Sequence, residues 1–326
     1  MSYLQQAAVM GASDVHLAAS AAATFRVDGD LVKMGKPLAS SDIEGFASTL
    51  MTREQWQRLQ QTGEVDFAWA DPHSGRFRIS VFKQQGSVSV SARLIPARVP
   101  TLLELELPDN LVQFAELNHG LVLVTGSTGS GKSTTLASLI HHINHTRGCH
   151  IVTLEDPTEY RHEHALSIVN QREVGSDTRD FSTGLRACLR QDMDVILIGE
   201  MRDTETVHTA LKAAETGHLV MSTMHTGDAV EAISRLIHMY PAEQQDDIRV
   251  QLAGVLRGII AQQLVKRRHG TGRIAAVEVL VNTPAVTNLI RLGKFHQIRS
   301  ALQTGRPYGM QTMEMHLKEL TENGKI

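Results

Sequence analysis

Residues 126–133 read Gly-Ser-Thr-Gly-Ser-Gly-Lys-Ser, the G-x-x-x-x-G-K-[ST] pattern of a phosphate-binding loop. Such a loop constrains a chain severely. It needs a buried strand before it, a helix after it, and glycines where backbone must approach an anion with no Cβ in the way. Both flanks are present: residues 121–125 form a continuous apolar run, and Leu136, Leu139, Ile140 and Ile143 recur at helical spacing behind the loop. With glycine near ~7% of residues, a chance match in a chain this long is expected about once in a hundred, so the pattern is read as a nucleotide site. Gly126, Ser127, Thr128, Gly129, Ser130, Gly131, Lys132, Ser133 and Thr134 then turn backbone N–H groups and a helix N-terminus towards phosphate oxygens. Lys132 bridges the β- and γ-phosphates and the Ser133 hydroxyl ligates Mg²⁺, so ATP and Mg²⁺ are the expected cofactors.

The loop sits in a repeating pattern of apolar strands and helices. Runs at 150–154, 195–198 and 218–223 alternate with helical periods such as Phe181, Leu185, Cys188 and Leu189, as parallel βαβ units require. From about 229 the chain reads as mostly helical. Ile248, Leu252, Val255, Leu256 and Ile259 make one stripe, and Lys266, Arg267, Arg268, Gly270 and Gly272 give the stripe a helix C-terminus. Residues 1–98 are different: RFRISVF at 76–82 and VSVSARL at 88–94 alternate strictly, with turn signals at Asp28-Gly29 and Ser74-Gly75, which predicts a small antiparallel α+β domain. Prolines at 96, 100 and 108 bracket a linker at 99–115. The expected class is therefore α/β, with a small N-terminal domain, a linker and a nucleotide-binding domain over 116–326.

Composition removes other classes. The 326 residues carry 32 Lys and Arg against 35 Asp and Glu, a net charge of −3, with no bulk attraction for nucleic acid or anionic lipid. No apolar run approaches 18 residues, and the N-terminus lacks a basic start, so neither a membrane span nor a signal peptide is expected and membrane contact is peripheral. Two cysteines, Cys149 and Cys188, exclude a disulfide framework or an all-thiolate zinc site and suit a cytoplasmic setting.

Carboxylates and imidazoles at strand ends supply the remaining chemistry. Glu200, just past the 195–198 strand, is positioned to activate an attacking water, or is a surface loop carboxylate. Glu155 ends another strand before Asp156-Pro157; it is either a second acidic group or part of an Asx-type turn. His218 and His225 flank the 218–223 strand and either sense the γ-phosphate or are structural. His141, His142 and His145 lie on the helix after the loop, without the Glu of a zinc hydrolase, and read as a solvated face.

Taken together, GSTGSGKSTTLAS, EDPTEY, QREVG, RQDMDVILIGEMRD and ETGHLVMSTMHT, in this order, resemble the secretion ATPase superfamily and within it the PilT-like pilus-retraction branch. GASDVHL and FRVDGDL resemble that branch's PAS-like N-terminal domain, and QTGRPYGMQTMEMHLKEL its C-terminal helical region. The resemblance implies a RecA-like ATPase domain assembled into a homohexamer that drives pilus retraction through an inner-membrane platform protein. It makes Glu200 the Walker B glutamate, Glu155 the acidic residue of the Asp box, and His218 and His225 the His box. It also implies that arginines from the neighbouring subunit's N-domain complete the site, and Arg76, Arg78 and Arg93 lie in the matching strands. Assembly and type II secretion ATPases of the same superfamily, or an orphan paralogue, are the alternatives. At 285–292 the chain reads AVTNLIRL where retraction ATPases have AIRNLIRE, so Thr287 and Leu292 replace an Arg and a Glu.

Overall fold

The structure is a computed structural model that describes residues 2–27, 29–95, 98–270 and 272–326. Asp28 of the anticipated Asp28-Gly29 turn and Pro96, one of the prolines bracketing the anticipated linker, lie outside the described residues. The chain divides into two compact units at Arg98/Val99.

The first unit opens with α1 (Tyr3–Met10), β1 (Asp14–Leu17), β2 (Ala22–Val27) and β3 (Asp30–Pro37). It continues with α2 (Ser40–Leu50), α3 (Arg53–Thr62), β4 (Glu64–Asp71), β5 (Gly75–Gln84) and β6 (Ser87–Ile95). Its strands pair antiparallel in the order β3-β2-β1-β6-β5-β4. Strict alternation does the sorting. Phe77, Ile79 and Val81 of β5 and Val90 and Ala92 of β6 point into a core closed by Leu4, Ile43, Ala47 and Leu59 of the three helices. Arg76, Arg78 and Arg93 are therefore left on the opposite face.

The second unit contains α4 (Val112–Ala115), β7 (Gly120–Thr125), α5 (Lys132–Thr146), β8 (His150–Glu155), β9 (Ile168–Glu173), α6 (Phe181–Cys188) and β10 (Val195–Ile198). There follow α7 (Thr204–Glu215), β11 (Leu219–Met224), α8 (Ala229–His238), α9 (Gln245–Val255), β12 (Leu256–Lys266) and β13 (Arg273–Val281). Three helices close the chain: α10 (Pro284–Arg291), α11 (Ile298–Thr304) and α12 (Met313–Glu322). The sheet order is β13-β12-β7-β11-β10-β8-β9, parallel except for the β12–β13 pair. Leu121, Leu123, Val152, Leu154, Ile196 and Ile198 pack on one side with α6 to α9. Val122, Val124, Ile151, Val195 and Leu197 pack on the other with α4 and α5. Both faces are thus buried, which is why these strands read as continuous apolar runs.

Two expectations are corrected here. The stripe from Ile248 to Ile259 is not one helix, because a long hairpin interrupts the otherwise mostly helical stretch beyond 229. Helix α9 stops at Val255 and β12 starts at the next residue, pairing in parallel with β7 and antiparallel with β13. A short apolar run fits either period. Gly258 decides it, because a Cβ there would lie 2.1 Å from the Phe114 ring and 2.9 Å from Leu280 O, so only a bare backbone threads that gap. Lys266, Arg267 and Arg268 then lead into the β12–β13 turn instead of ending a helix. The second correction concerns residues 99–115. Leu102, Leu107, Leu111 and Phe114 are buried in the core beneath the parallel sheet, so this segment is part of the second unit and not a spacer.

Candidate functional site

Parallel strands all end on one edge, so the loops after β7, β8, β10 and β11 share that edge. The glycine loop follows β7 and opens α5. Gly126, Gly129 and Gly131 all have positive φ (149°, 76° and 89°), which the loop's path requires. A Cβ on Gly126 would sit 2.2 Å from Gln262 O, and one on Gly131 2.7 Å from Gln262 Nε2. Lys132 folds back into the loop and its Nζ donates to Gly126 O and Ser127 O, both at 2.9 Å. Burial lowers its pKa, opposed by the charges of Glu159 and Glu200. Thr134 is hydrogen-bonded to Tyr160 Oη at 2.9 Å, which holds the first turn of α5 against the loop after β8.

Glu200 follows β10. Its Oε2 lies 2.6 Å from Arg202 Nε and 3.6 Å from His225 Nε2. The strand end that carries it is fixed by Gly199 N–H donating to Leu154 O at 2.7 Å and by Thr223 Oγ1 donating to Gly199 O at 2.5 Å. His225 follows β11. Burial first, then the Lys132 charge, holds its imidazole below the ordinary histidine range, so it is neutral at neutral pH. The loop that carries His225 is tied to the phosphate loop: Thr125 Oγ1 and the Thr226 main chain exchange bonds at 2.7 and 3.0 Å, and the two hydroxyls touch directly.

Glu155, at the end of β8, is not a solvated turn acid. It accepts from Thr153 Oγ1 at 2.7 Å, Gln171 Nε2 at 3.2 Å and Glu159 N at 3.3 Å, while burial raises its pKa. His218 is placed differently from the sequence expectation. It precedes β11, where Gly120 at the start of β7 donates to its carbonyl, and its Nδ1 lies 2.9 Å from Ala213 O at the end of α7. Six residues of β11 at about 3.3 Å each put it roughly 20 Å from His225. Within one chain, therefore, His218 caps a helix and does not join the phosphate loop.

The three arginines belong to the first unit. Arg78 stands directly opposite Arg93 across β5 and β6, and Arg76 lies two residues before Arg78 on the same face. Arg93 Nε is 2.8 Å from Oδ1 of the buried Asp14, whose other oxygen lies 4.0 Å from Arg26 Nε. Sequence reasoning missed Asp14, Arg202 and Gln262. Asp14 and Arg202 were inside quoted motifs, but their partners were not readable; Gln262 was hidden by the helical assignment of its strand.

The donor set and geometry suit a nucleoside triphosphate with its Mg²⁺: a loop too tight for side chains, a helix N-terminus, a buried lysine and the Ser133 hydroxyl at the start of α5. No group of three or more His, Cys, Asp or Glu arranged for a metal occurs among the described residues. Fold and site together define an α/β P-loop nucleotide-binding protein. The chain belongs to the type II/IV secretion system protein family, whose model matches residues 1–322. It is 44% identical over 320 residues to the "type IV pilus retractation ATPase PilT" of Pseudomonas aeruginosa, covering 98% of this chain and 93% of that one. It is likewise 44% identical over 303 residues to a "twitching motility protein" of Neisseria gonorrhoeae, covering 93% and 81%. A crystal structure of the pilus retraction motor PilT with bound ADP superposes with a TM-score of 0.91 at 45% identity, covering 99% of this chain and 93% of that one. The resemblance read from the motifs is borne out. Among the described residues no helix is long and apolar enough to cross a membrane.

Proposed function

We propose that this chain is the ATPase of a type IV pilus retraction motor: a homohexamer with PAS-like and RecA-like domains, which hydrolyses ATP to drive pilus disassembly from the cytoplasmic side of an inner-membrane platform protein. The observation that carries the reading is the convergence of Lys132, Glu200 and His225 at one strand edge, in a chain whose near-full-length relatives include a pilus retractation ATPase. Lys132 holds the β- and γ-phosphates, and Ser133 is the Mg²⁺ ligand. Bound Mg²⁺ neutralises charge on those phosphates. Glu200 orients the water and takes its proton as the water oxygen bonds to the γ-phosphorus and the bridging P–O bond breaks, releasing ADP and phosphate. Glu155, already fully engaged by three donors, holds the neighbouring loop. His225, neutral and next to Glu200, reports the presence of the γ-phosphate.

An arginine from the neighbouring subunit supplies transition-state charge. Arg93 is committed to Asp14, which makes Arg78, directly across from it, the better candidate, with Arg76 beside it.

A second reading, an orphan paralogue, is favoured by one observation. Where retraction ATPases carry Arg and Glu, Thr287 donates inward to Asn282 Oδ1 at 3.1 Å and Leu292 leaves an exposed apolar side chain. Deleting the gene in its source cell separates the readings. Surplus unretracted pili support retraction, absent pili point to assembly, and unchanged pili to the orphan role. On the chemistry, Glu200→Gln retains ATP binding and loses at least about a hundredfold in hydrolysis; normal turnover removes Glu200 from its role.

A further inference from the structure

Gln262 is a neutral side chain buried in the centre of β12, 4% exposed, and the phosphate chemistry described above makes no use of it. Its two polar ends are both spent on the phosphate loop. Nε2 donates to Ser130 O at 2.8 Å, and Oε1 accepts from Thr135 Oγ1, in the first turn of α5, at 2.8 Å. Thr135 is itself 1% exposed. The amide therefore bridges the last peptide of the loop and the helix that the loop opens.

The carbonyl it holds matters because of what lies on the other side of the same peptide. A trans peptide is planar, so its C=O and N–H point in opposite directions. Pinning Ser130 O towards β12 turns the Gly131 N–H away from β12, onto the open side of the loop that receives phosphate. Gly131, at φ +89°, has no Cβ to resist rotation of that peptide, and Gly129 at φ +76° loosens the preceding turn in the same way. Glycine gives the loop its tight curve and also the freedom to lose it. A buried amide on a strand of the sheet removes that freedom. The packing is reciprocal: a Cβ on Gly131 would strike Nε2 at 2.7 Å, so the bare glycine is also what lets Gln262 reach the carbonyl.

We propose that Gln262 is a positioning residue for nucleotide binding, which fixes the Ser130–Gly131 peptide so that the Gly131 N–H is presented to phosphate before the nucleotide arrives. The proposal rests on the reading of residues 126–133 as the phosphate site. Because the amide acts on the resting loop, its loss falls on ground-state binding more than on the chemical step. Ser130 O, which can only accept, sets the amide with Nε2 towards the loop, and the Thr135 hydroxyl holds it there by donating to the remaining Oε1.

The test is equilibrium binding of ADP and of ATP, with steady-state hydrolysis, in the full chain. Gln262→Met keeps the volume and loses both hydrogen bonds. It should weaken nucleotide binding and raise KM by about tenfold, the loss expected for one buried hydrogen bond, with kcat changed much less and the unfolding midpoint retained. Gln262→Glu keeps the acceptor for Thr135 but sets a carboxylate against Ser130 O, and should bind more weakly still. Thr135→Val should give a smaller loss, which Thr135→Ser recovers. Wild-type nucleotide affinity in Gln262→Met, or a loss of kcat at unchanged affinity, overturns the proposal. If Gln262→Met fails to fold, the Thr135→Val and Thr135→Ser pair decides: equal affinity in the two overturns it. Lys132→Ala, measured alongside, keeps the two failures apart. Unchanged binding in that variant overturns the phosphate site itself and this proposal with it.

Discussion

The two sheets place their polar chemistry in opposite ways. In the second unit the parallel strands bury both faces, so functional side chains have nowhere to go but the loops at one edge, and Lys132, Glu155, Glu200 and His225 collect there. In the first unit the antiparallel sheet buries one face only, and Arg76, Arg78, Arg93, Asp14 and Arg26 lie across the other. An edge focuses groups on one small ligand. A face displays charge broadly, and charge displayed in this way acts on something brought to it. Four polar residues therefore gather at an edge in one unit, and five spread across a face in the other.

The sharpest way to break that contrast is to exchange the expected losses. Lys132→Ala should lower ATP affinity about a hundredfold, since a buried charge-assisted contact is removed, as measured by equilibrium titration. Arg78→Ala should leave that affinity nearly intact while hydrolysis collapses. Mixed with Lys132→Ala subunits it should regain part of the rate, because each variant supplies the half that the other lacks. Absence of recovery in every mixture with Arg76, Arg78 or Arg93 variants would end the trans assignment.

A second prediction concerns stability away from the focused edge, beside the C-terminal half of α5. Burial, with His141 and His145 nearby, depresses the His162 pKa to about 4 from 6.5. The unfolded chain takes up the proton first as pH falls, so stability is whole above about pH 6.5 and declines towards pH 4, by roughly 3 kcal/mol. Urea unfolding of His162→Gln across this range should show a flatter profile; an unchanged slope assigns the acid loss elsewhere. The smallest effect belongs to Arg202. Its side chain is 73% exposed, and an exposed ion pair contributes under about 1 kcal/mol, so Arg202→Ala should lower hydrolysis by less than about fivefold. A loss as large as that of Glu200→Gln would make Arg202 a full partner in the site.

Sequence legibility followed the same division. The phosphate loop, its flanking strand and helix, and Glu200 at a strand end are local patterns, and each was readable from consecutive residues. Glu155 was readable as a strand-end acid but not as a side chain with three donors, because Gln171 comes from a strand, β9, that local alternation did not reveal. His218 and His225 looked alike in one short motif, yet a strand has two ends and only one reaches the loop. The pairing of Arg93 with Asp14 joins strands from opposite ends of the first unit and leaves no local trace. The helix at 245–255 was read on into β12 because Leu252, Val255, Leu256 and Ile259 satisfy both periods. What separated them was Phe114, far away in sequence, filling the space above Gly258.

The Thr125–Thr226 contact makes two separate loops into one rigid element. It fastens the strand that leads into the phosphate loop to the residue after His225, with no slack between them. The phosphate loop and the segment bearing His225 are therefore held as one piece, and His225 O extends the tie to α8 by accepting from Arg235 at 2.9 Å.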